Sequence, residues 1–312
     1  MVADFYMMVG LPGSGKTTYA ERLASTLGGP MYEQSIVVLS SDAIRKELWG
    51  DENDQHDPEQ VFNVMRNRMR AALLKGQTVI YDATNISRKR RSGVLNDLPK
   101  TFKGKKHCIV VAQPIEEVLR RNASRERVVP EDVIMRMLKN YQPPCKGEGW
   151  DYIHYAAIPE DFDCQKVWKD MEGFDQENEH HSLTLLDHCI KTQDYIVKKT
   201  EDRDGEDKVL RFAAAIHDCG KVYTKTYQKP NGEVDGQAHY TNHQNVGAYI
   251  ATVFGKHLDY FDDDTTRLAN LVYHHMDPYF TWHASLPKLT ELQGKQFVDD
   301  ILLLHEADLQ AH

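Results

Sequence analysis

The stretch MMVGLPGSGKTTYAE, residues 7–21, leaves a chain little freedom, because an apolar run enters a glycine-rich turn and leaves it in a helical pattern. Gly10, Gly15, Lys16 and Thr17 satisfy the spacing G-x-x-x-x-G-K-T, and a strand before with a helix after is the context that spacing requires. Glycines let the backbone curl until successive N–H groups point inward, and the helix N-terminus adds partial positive charge, so the turn is built to hold phosphate. Gly13, Ser14 and Thr18 complete the candidate cradle. Lys16 is placed for the β- and γ-phosphates of ATP or another nucleoside triphosphate, and the Thr17 hydroxyl for Mg²⁺.

The rest of the first half repeats this texture. FYMMV, SIVVLS, TVIYDA and HCIVVA read as strands, and helical patterns start near Thr17, Asp42, Pro58, Arg88 and Pro114. Near-continuously apolar strands separated by helices predict an α/β nucleotide-binding unit, a parallel sheet with helices on both faces. From about residue 180 the pattern turns helical, in LTLLDHCIKTQDYIVKK, KVLRFAAAIHD, HQNVGAYIATVF, TTRLANLVYHH and QFVDDILLLHEADLQ, which predicts an all-α unit. Between them lies a segment with breakers and one or two short edge strands. A length of 312 residues suits two domains, expected at 1–170 and 171–312.

Charge separates the halves as well. Residues 1–170 hold 25 Lys and Arg against 23 Asp and Glu, whereas residues 171–312 hold 13 against 24. The acidic half repels a polyanion unless bound cations offset it, while the first half carries RKRR (Arg88–Arg91) and KGKK (Lys103–Lys106), runs that most often form solvated faces. Five scattered cysteines without a CxxC pair fit a reducing compartment, and no run reaches a membrane span, so a cytoplasmic location and no membrane partner are expected.

A phosphate cradle serves hydrolases, switches and kinases alike, and the second strand narrows the choice. VVLSSDAIRKEL places Asp42 and Arg45 one helical turn apart at the strand's carboxyl end, where α/β sheets bind ligands. There Asp42 is placed to take the proton of an attacking hydroxyl and Arg45 to fork onto an acceptor phosphate, although SSD also reads as a helix N-cap. Asp82, ending TVIYD, suits a Mg²⁺-associated or acceptor-orienting carboxylate or a loop cap; Asn85 is a weaker candidate.

These residues, with DATN at Asp82–Asn85 and RNASRERVVPEDV, make residues 1–165 resemble polynucleotide 5′-kinases of the phage end-healing type. The resemblance implies that Asp42 is the general base, that Arg45 grips the phosphate on the acceptor's 3′ side, and that a lid arginine neutralises the transferring phosphoryl group. Arg125 is the first candidate for that role and Arg127 the second.

The second half carries AAIHDCGK, with His217 and Asp218 adjacent at a helix end. Helix neighbours point about 100° apart, so both reach one ion only over the helix edge, with other helices completing the shell. His188 in LLDHC and Asp308 in HEADLQ supply the order His, His-Asp, Asp, so residues 175–312 resemble the HD phosphohydrolase superfamily. Two imidazoles and two carboxylates suit Mn²⁺, Ni²⁺, Co²⁺, Fe²⁺ or Zn²⁺, which would turn bound water into hydroxide and polarise a phosphoryl oxygen. Lys221 is a candidate to steady the substrate phosphate. His243 and His275 stand where dinuclear relatives carry extra ligands, with Asp218 then bridging two ions; His274 competes with His275. His180 and His181, beside the linker, are candidates for the pocket entrance.

The whole chain thus resembles a bifunctional end-healing enzyme, with kinase and hydrolase in the reverse of the order familiar from bacterial relatives. The resemblance implies RNA or DNA termini as substrates, phosphorylation of a 5′-OH, removal of a 3′-phosphate or 2′,3′-cyclic phosphate, and a downstream nucleic-acid ligase. A small-molecule or nucleoside kinase fused to an HD nucleotidase, and a kinase regulated by a non-catalytic HD nucleotide sensor, remain as alternatives.

Overall fold

A computed structural model describes residues 3–32, 36–157, 163–177, 183–201, 207–229, 231–280 and 282–311. Backbone contacts divide the chain into one unit of Met1–Ile134 with Glu148–Ala157, and a second of Met135–Gly147 with Ile158–His312. Where the sequence places one boundary near residue 170, the chain crosses between units at three points.

The first unit is built on five parallel strands, β1 (Phe5–Val9), β2 (Ile36–Ser40), β3 (Thr78–Asp82), β4 (Lys106–Val110) and β5 (Tyr152–Tyr155), in the order β2-β3-β1-β4-β5. Helices α1 (Lys16–Tyr32), α2 (Ser41–Trp49), α3 (Pro58–Leu74), α4 (Arg88–Asn96) and α5 (Ile115–Ala123) begin within a residue or so of their predicted starts. Of the four apolar runs of the sequence, β3, β1 and β4 are the inner strands and β2 lies at one edge, with the short strand β5 at the other. Every residue of β1 is buried, with Tyr6 and Met8 packed against Ala20 of α1, as a strand covered on both faces demands. β1, β2 and β3 run side by side and in one direction, with Ser40 paired to Asp82, so the loops after Val9, Ser40 and Asp82 open at one edge of the sheet.

One ion pair holds the far end of this unit. Arg91 and Glu148, both without solvent exposure, form a two-pronged bridge (Nε–Oε2 2.7 Å, Nη2–Oε1 2.6 Å), and Trp150 Nε1 donates to Glu148 at 3.0 Å. The RKRR run is therefore dispersed. Arg91 is core, Arg88 also reaches Glu148, and Arg90 lies 4.3 Å over the Phe62 ring. In KGKK, Lys105 and Lys106 flank Asp151.

The helix α6 (Glu131–Leu138) leads into the strap Met135–Gly147 of the second unit. That unit contains α7 (Cys164–Met171), α8 (Leu185–Lys199), α9 (Lys208–Ile216), α10 (His243–His257), α11 (Asp262–His274), α12 (Asp277–Phe280), α13 (Trp282–Gln293) and α14 (Lys295–Gln310). Helices dominate, yet a two-stranded antiparallel hairpin, β6 (Thr226–Gln228) with β7 (Val234–His239), interrupts them where few strands were expected. Trp168, Phe212 and Phe254 form an aromatic cluster inside the unit. The strap is fixed by polar contacts, Asn245 Nδ2 to the Tyr141 carbonyl at 2.9 Å and Asn270 Nδ2 to that of Pro144 at 3.0 Å. Among the described residues no helix is long and apolar enough to cross a membrane.

Candidate active sites

The glycine turn sits at the carboxyl end of β1. Gly13 has φ +83°, and a Cβ there would stand 2.6 Å from the Val118 carbonyl oxygen, so only glycine lets the loop lie against α5. Lys16 opens α1 and donates to the Leu11 carbonyl at 2.8 Å, folded over its own loop. Ser14 is buried and its hydroxyl has no partner among the described residues, while Thr18 is exposed on α1. The Thr17 hydroxyl donates to Asp82 Oδ2 at 2.9 Å, a hydroxyl–carboxylate pair that suits Mg²⁺ beside a triphosphate. Burial pushes the Asp82 carboxyl up against the opposing pull of Lys16 and Thr17. Burial likewise lowers the Lys16 ammonium, with Asp82 and Asp42 opposing and Arg125 adding to the fall. Phosphate oxygens supply the negative charge such a lysine lacks.

Asn85 is structural. With φ +47° and no exposure, it donates to the Met8 carbonyl at 2.8 Å and accepts from Arg91 through its own carbonyl, bracing the strand end that leads into the cradle.

Asp42 is not the cap of α2. That position belongs to Ser40, whose hydroxyl accepts from Ala43 N, and Asp42 is left half-exposed in the first turn. Its Oδ1 accepts from Arg45 Nη1 at 2.6 Å and forms an ion pair with Arg127 Nη1 at 2.8 Å. Gln55, with its amide oxygen turned inward, joins the same group, 3.1 Å from Arg45 Nε and 3.2 Å from Arg127 Nη2. The two lid arginines thus part company: Arg127 stands with Asp42 and Arg45, and Arg125 acts on Lys16. Arg121, held by Glu117, lies beside Gly15. Sequence reasoning passed over Gln55, which sits in no motif, and Arg121, which opens the segment RNASRERVVPEDV, where only Arg125 and Arg127 were candidates.

In the second unit six predicted residues converge. His217 caps α9 and Asp218 lies beyond it (φ −102°, ψ 2°), before the tight turn Cys219–Tyr223. The helix has ended before Asp218, so the 100° separation expected of helix neighbours does not apply. His188 of α8 reaches Asp308 of α14 (Nε2–Oδ1 2.9 Å) and His217 (Nε2–Nε2 3.3 Å). On the other side His243 and His275 bring their Nε2 atoms 3.2 Å apart. Asp218 stands between the pairs. Its Oδ2 is 3.7 Å from His188 and 3.5 Å from His217, and its Oδ1 is 3.1 Å from His243 and 3.4 Å from His275. His274 turns elsewhere, to Asp277 at 2.7 Å. His180 and His181 lie outside the described residues.

The chemistry of this set fits divalent cations. A carbonyl only accepts, so His217, His243 and His275 donate through Nδ1 to the carbonyls of Ala214, Tyr240 and Val272 at 2.8, 2.9 and 2.7 Å. Each neutral ring then presents its Nε2 lone pair to the centre, the orientation that backbone partners impose on metal-binding imidazoles. Lone pairs and carboxylates facing one another across about 3 Å repel unless positive charge lies among them. The two groups, His188–His217–Asp218 and Asp218–His243–His275, each keep their donor atoms within 4.8 Å of one another. The field shows the same demand: burial opposes a charge on His217, yet Asp218 with Cys189 and Asp308 outweighs it and raises that imidazole well above its ordinary value.

Lys221, a candidate from the sequence, lies with Nζ 2.7 Å from Asp218 Oδ2, and two partners the sequence did not reveal complete the site: buried Gln176 accepts from Lys221 at 2.8 Å, and the Tyr279 hydroxyl donates to Asp308 Oδ2 at 2.7 Å.

A P-loop phosphotransferase unit and a histidine–aspartate metal cluster are therefore joined on one chain. Comparison with known families agrees: residues 5–144 match the AAA domain family and residues 185–308 the HD domain family, so a kinase domain of P-loop type precedes an HD domain. The chain is 26% identical over 149 residues to the L-seryl-tRNA(Sec) kinase of Methanococcus maripaludis, covering 46% of this chain and 55% of that protein. It is 22% identical over 171 residues to protein kti12 of Schizosaccharomyces pombe, covering 51% and 59%. The chain thus spans little more than half the length of either relative. Among solved structures, a Pnkp1/Rnl/Hen1 complex matches at 26% identity over 38% of this chain and 39% of that one (TM-score 0.33), and a gluconokinase from Sinorhizobium meliloti 1021 at 16% over 50% and 82% (TM-score 0.34). Such a domain pair implies ATP with Mg²⁺ at the first site and a divalent metal at the second.

Proposed function

We propose that the chain heals broken nucleic-acid ends, preferentially RNA, by phosphorylating a 5′-OH and removing a 3′-phosphate or opening and removing a 2′,3′-cyclic phosphate. The observation that carries the kinase reading is the Asp42–Arg45 pair at the start of α2, the helix that follows β2, the strand neighbouring β3, whose Asp82 is bonded to Thr17 of the cradle. A carboxylate there serves an attacking hydroxyl, and an arginine beside it serves an acceptor that already carries a phosphate. The 5′-oxygen bonds to the γ-phosphorus as its proton passes to Asp42, and the bond to the β–γ bridging oxygen breaks, releasing ADP. Lys16 and Arg125 meet the charge on the phosphates. The relative named L-seryl-tRNA(Sec) kinase, an enzyme named for an acceptor on RNA, supports a nucleic-acid-borne hydroxyl.

In the HD domain, bound divalent ions supply a hydroxide nucleophile at neutral pH and polarise the phosphoryl oxygen. His188, His217, Asp218 and Asp308 would hold one ion, and Asp218, His243 and His275 a second. Lys221 orients Asp218 and offers its charge to the substrate phosphate, and Tyr279 orients Asp308.

The test is a 5′-OH RNA oligonucleotide ending in a 2′,3′-cyclic phosphate, incubated with ATP, Mg²⁺ and a panel of transition metals, each terminus followed separately. Gain of a 5′-phosphate and loss of the 3′-terminal phosphate are expected. Efficient transfer to a nucleoside or sugar but not to the oligonucleotide would move the assignment to a small-molecule kinase.

A further inference from the structure

Two guanidinium groups share one carboxylate in the P-loop domain, and this arrangement leaves one positive charge over. Arg45 Nη1 donates to Asp42 Oδ1 at 2.6 Å, and Arg127 Nη1 forms an ion pair with the same oxygen at 2.8 Å. Gln55, with its amide oxygen turned inward, accepts from Arg45 Nε at 3.1 Å and from Arg127 Nη2 at 3.2 Å and so ties the two guanidinium groups together. The Arg45 side chain is 8% exposed and that of Arg127 17%, so a charge left there is poorly hydrated. Burial lowers the Arg45 guanidinium most, Asp42 opposes it, and the like charge of Arg127 adds to the fall. An anion relieves that repulsion. Guanidinium forks match phosphate oxygens in pairs, so the two beside Asp42 outline a site for a phosphate next to the hydroxyl that Asp42 serves.

We propose that Arg127 is an acceptor-binding residue, forming with Arg45 a two-arginine clamp on the phosphate at the 3′ side of the acceptor nucleotide. This deepens the kinase reading above and rests on it. The clamp stands assembled beside Asp42, so an acceptor lacking the phosphate is held by less. Gln55 acts as a positioning residue, tying the two forks together.

The experiment measures transfer from ATP to a nucleoside 3′-monophosphate and to the corresponding nucleoside, in the full-length chain. The wild type is expected to prefer the phosphorylated acceptor. Arg127→Ala lowers that preference about tenfold through the acceptor KM, the effect of losing one charge-assisted hydrogen bond, and leaves the KM for ATP in place. Arg127→Lys, which keeps the charge but not the fork, recovers part of the loss, and Arg125→Ala slows both acceptors alike. An Arg127→Ala enzyme that keeps the wild-type preference, or loses both acceptors equally, overturns the clamp while leaving the kinase intact. A wild type that phosphorylates neither acceptor removes the kinase reading, and the clamp with it.

Discussion

Gly220 lies so close to His243 that a Cβ on it would stand 2.0 Å from the His243 carbonyl oxygen. The glycine of HDCGK is thus a spacer of zero thickness, letting the turn after Asp218 press on the start of α10 and bring His243 to within 3.1 Å of Asp218. Gly220→Ala is expected to force these elements apart, costing about 1–3 kcal/mol as overpacking does. Metal per chain, read by mass spectrometry, falls more steeply than the melting temperature of the HD domain. Retention of full metal content would show that the close approach does not set the cluster.

The pairing of His243 and His275 gives a count. If Asp218 bridges two ions, the wild type binds two divalent metals and His275→Ala binds one, whereas His274→Ala, whose ring pairs with Asp277, still binds two. Equal loss in both variants would contradict the division between the two histidines.

Glu148 is an expected weak point of the P-loop domain. Removing it strands the Arg91 guanidinium without solvent, and breaking a buried pair from one side typically costs about 3–5 kcal/mol. Glu148→Ala should therefore lower the denaturant midpoint of the first transition, whereas Glu47→Ala, at an exposed pair with Arg68, shifts it little. The comparison is sharp because both variants remove one carboxylate from an arginine.

His107 supplies a pH dependence. Its ring stacks on Tyr6 at 4.3 Å and Tyr152 at 5.0 Å, and burial, then His154, lowers its pKa below the ordinary 6.5. A histidine that prefers to be neutral when folded binds more protons unfolded, so its contribution is fully present above about 6.5 and is lost as pH falls toward the lowered value. Amide exchange in β1 and β4 should accelerate over that window in the wild type, and less so in His107→Phe. Identical acceleration in both would assign the effect to other groups.

The extent to which the sequence disclosed this molecule follows the range of the contacts. The cradle, the β-strands and the helix starts are local, written in glycine spacing and hydrophobic period, and they stand where the residues indicate. The HD cluster joins residues as distant as His188 and Asp308, yet its histidines and aspartates carry their own chemical label. Glu148, Gln176, Gln55 and Tyr279 carry none. Each matters through one partner far along the chain, and an isolated Gln or Tyr reads like any other. The strap Met135–Gly147 escaped for the same reason: its hold on the second unit comes from Asn245 and Asn270 reaching carbonyls, which every residue possesses.

Independent chemistry at the two sites is tested most directly by single substitutions scored at both ends of one RNA. With 5′-OH RNA bearing a 2′,3′-cyclic phosphate, Asp42→Ala is expected to abolish 5′-phosphorylation and leave 3′-end processing at the wild-type rate, and Asp218→Ala to do the reverse. Loss of both activities in either folded variant would contradict two separate sites.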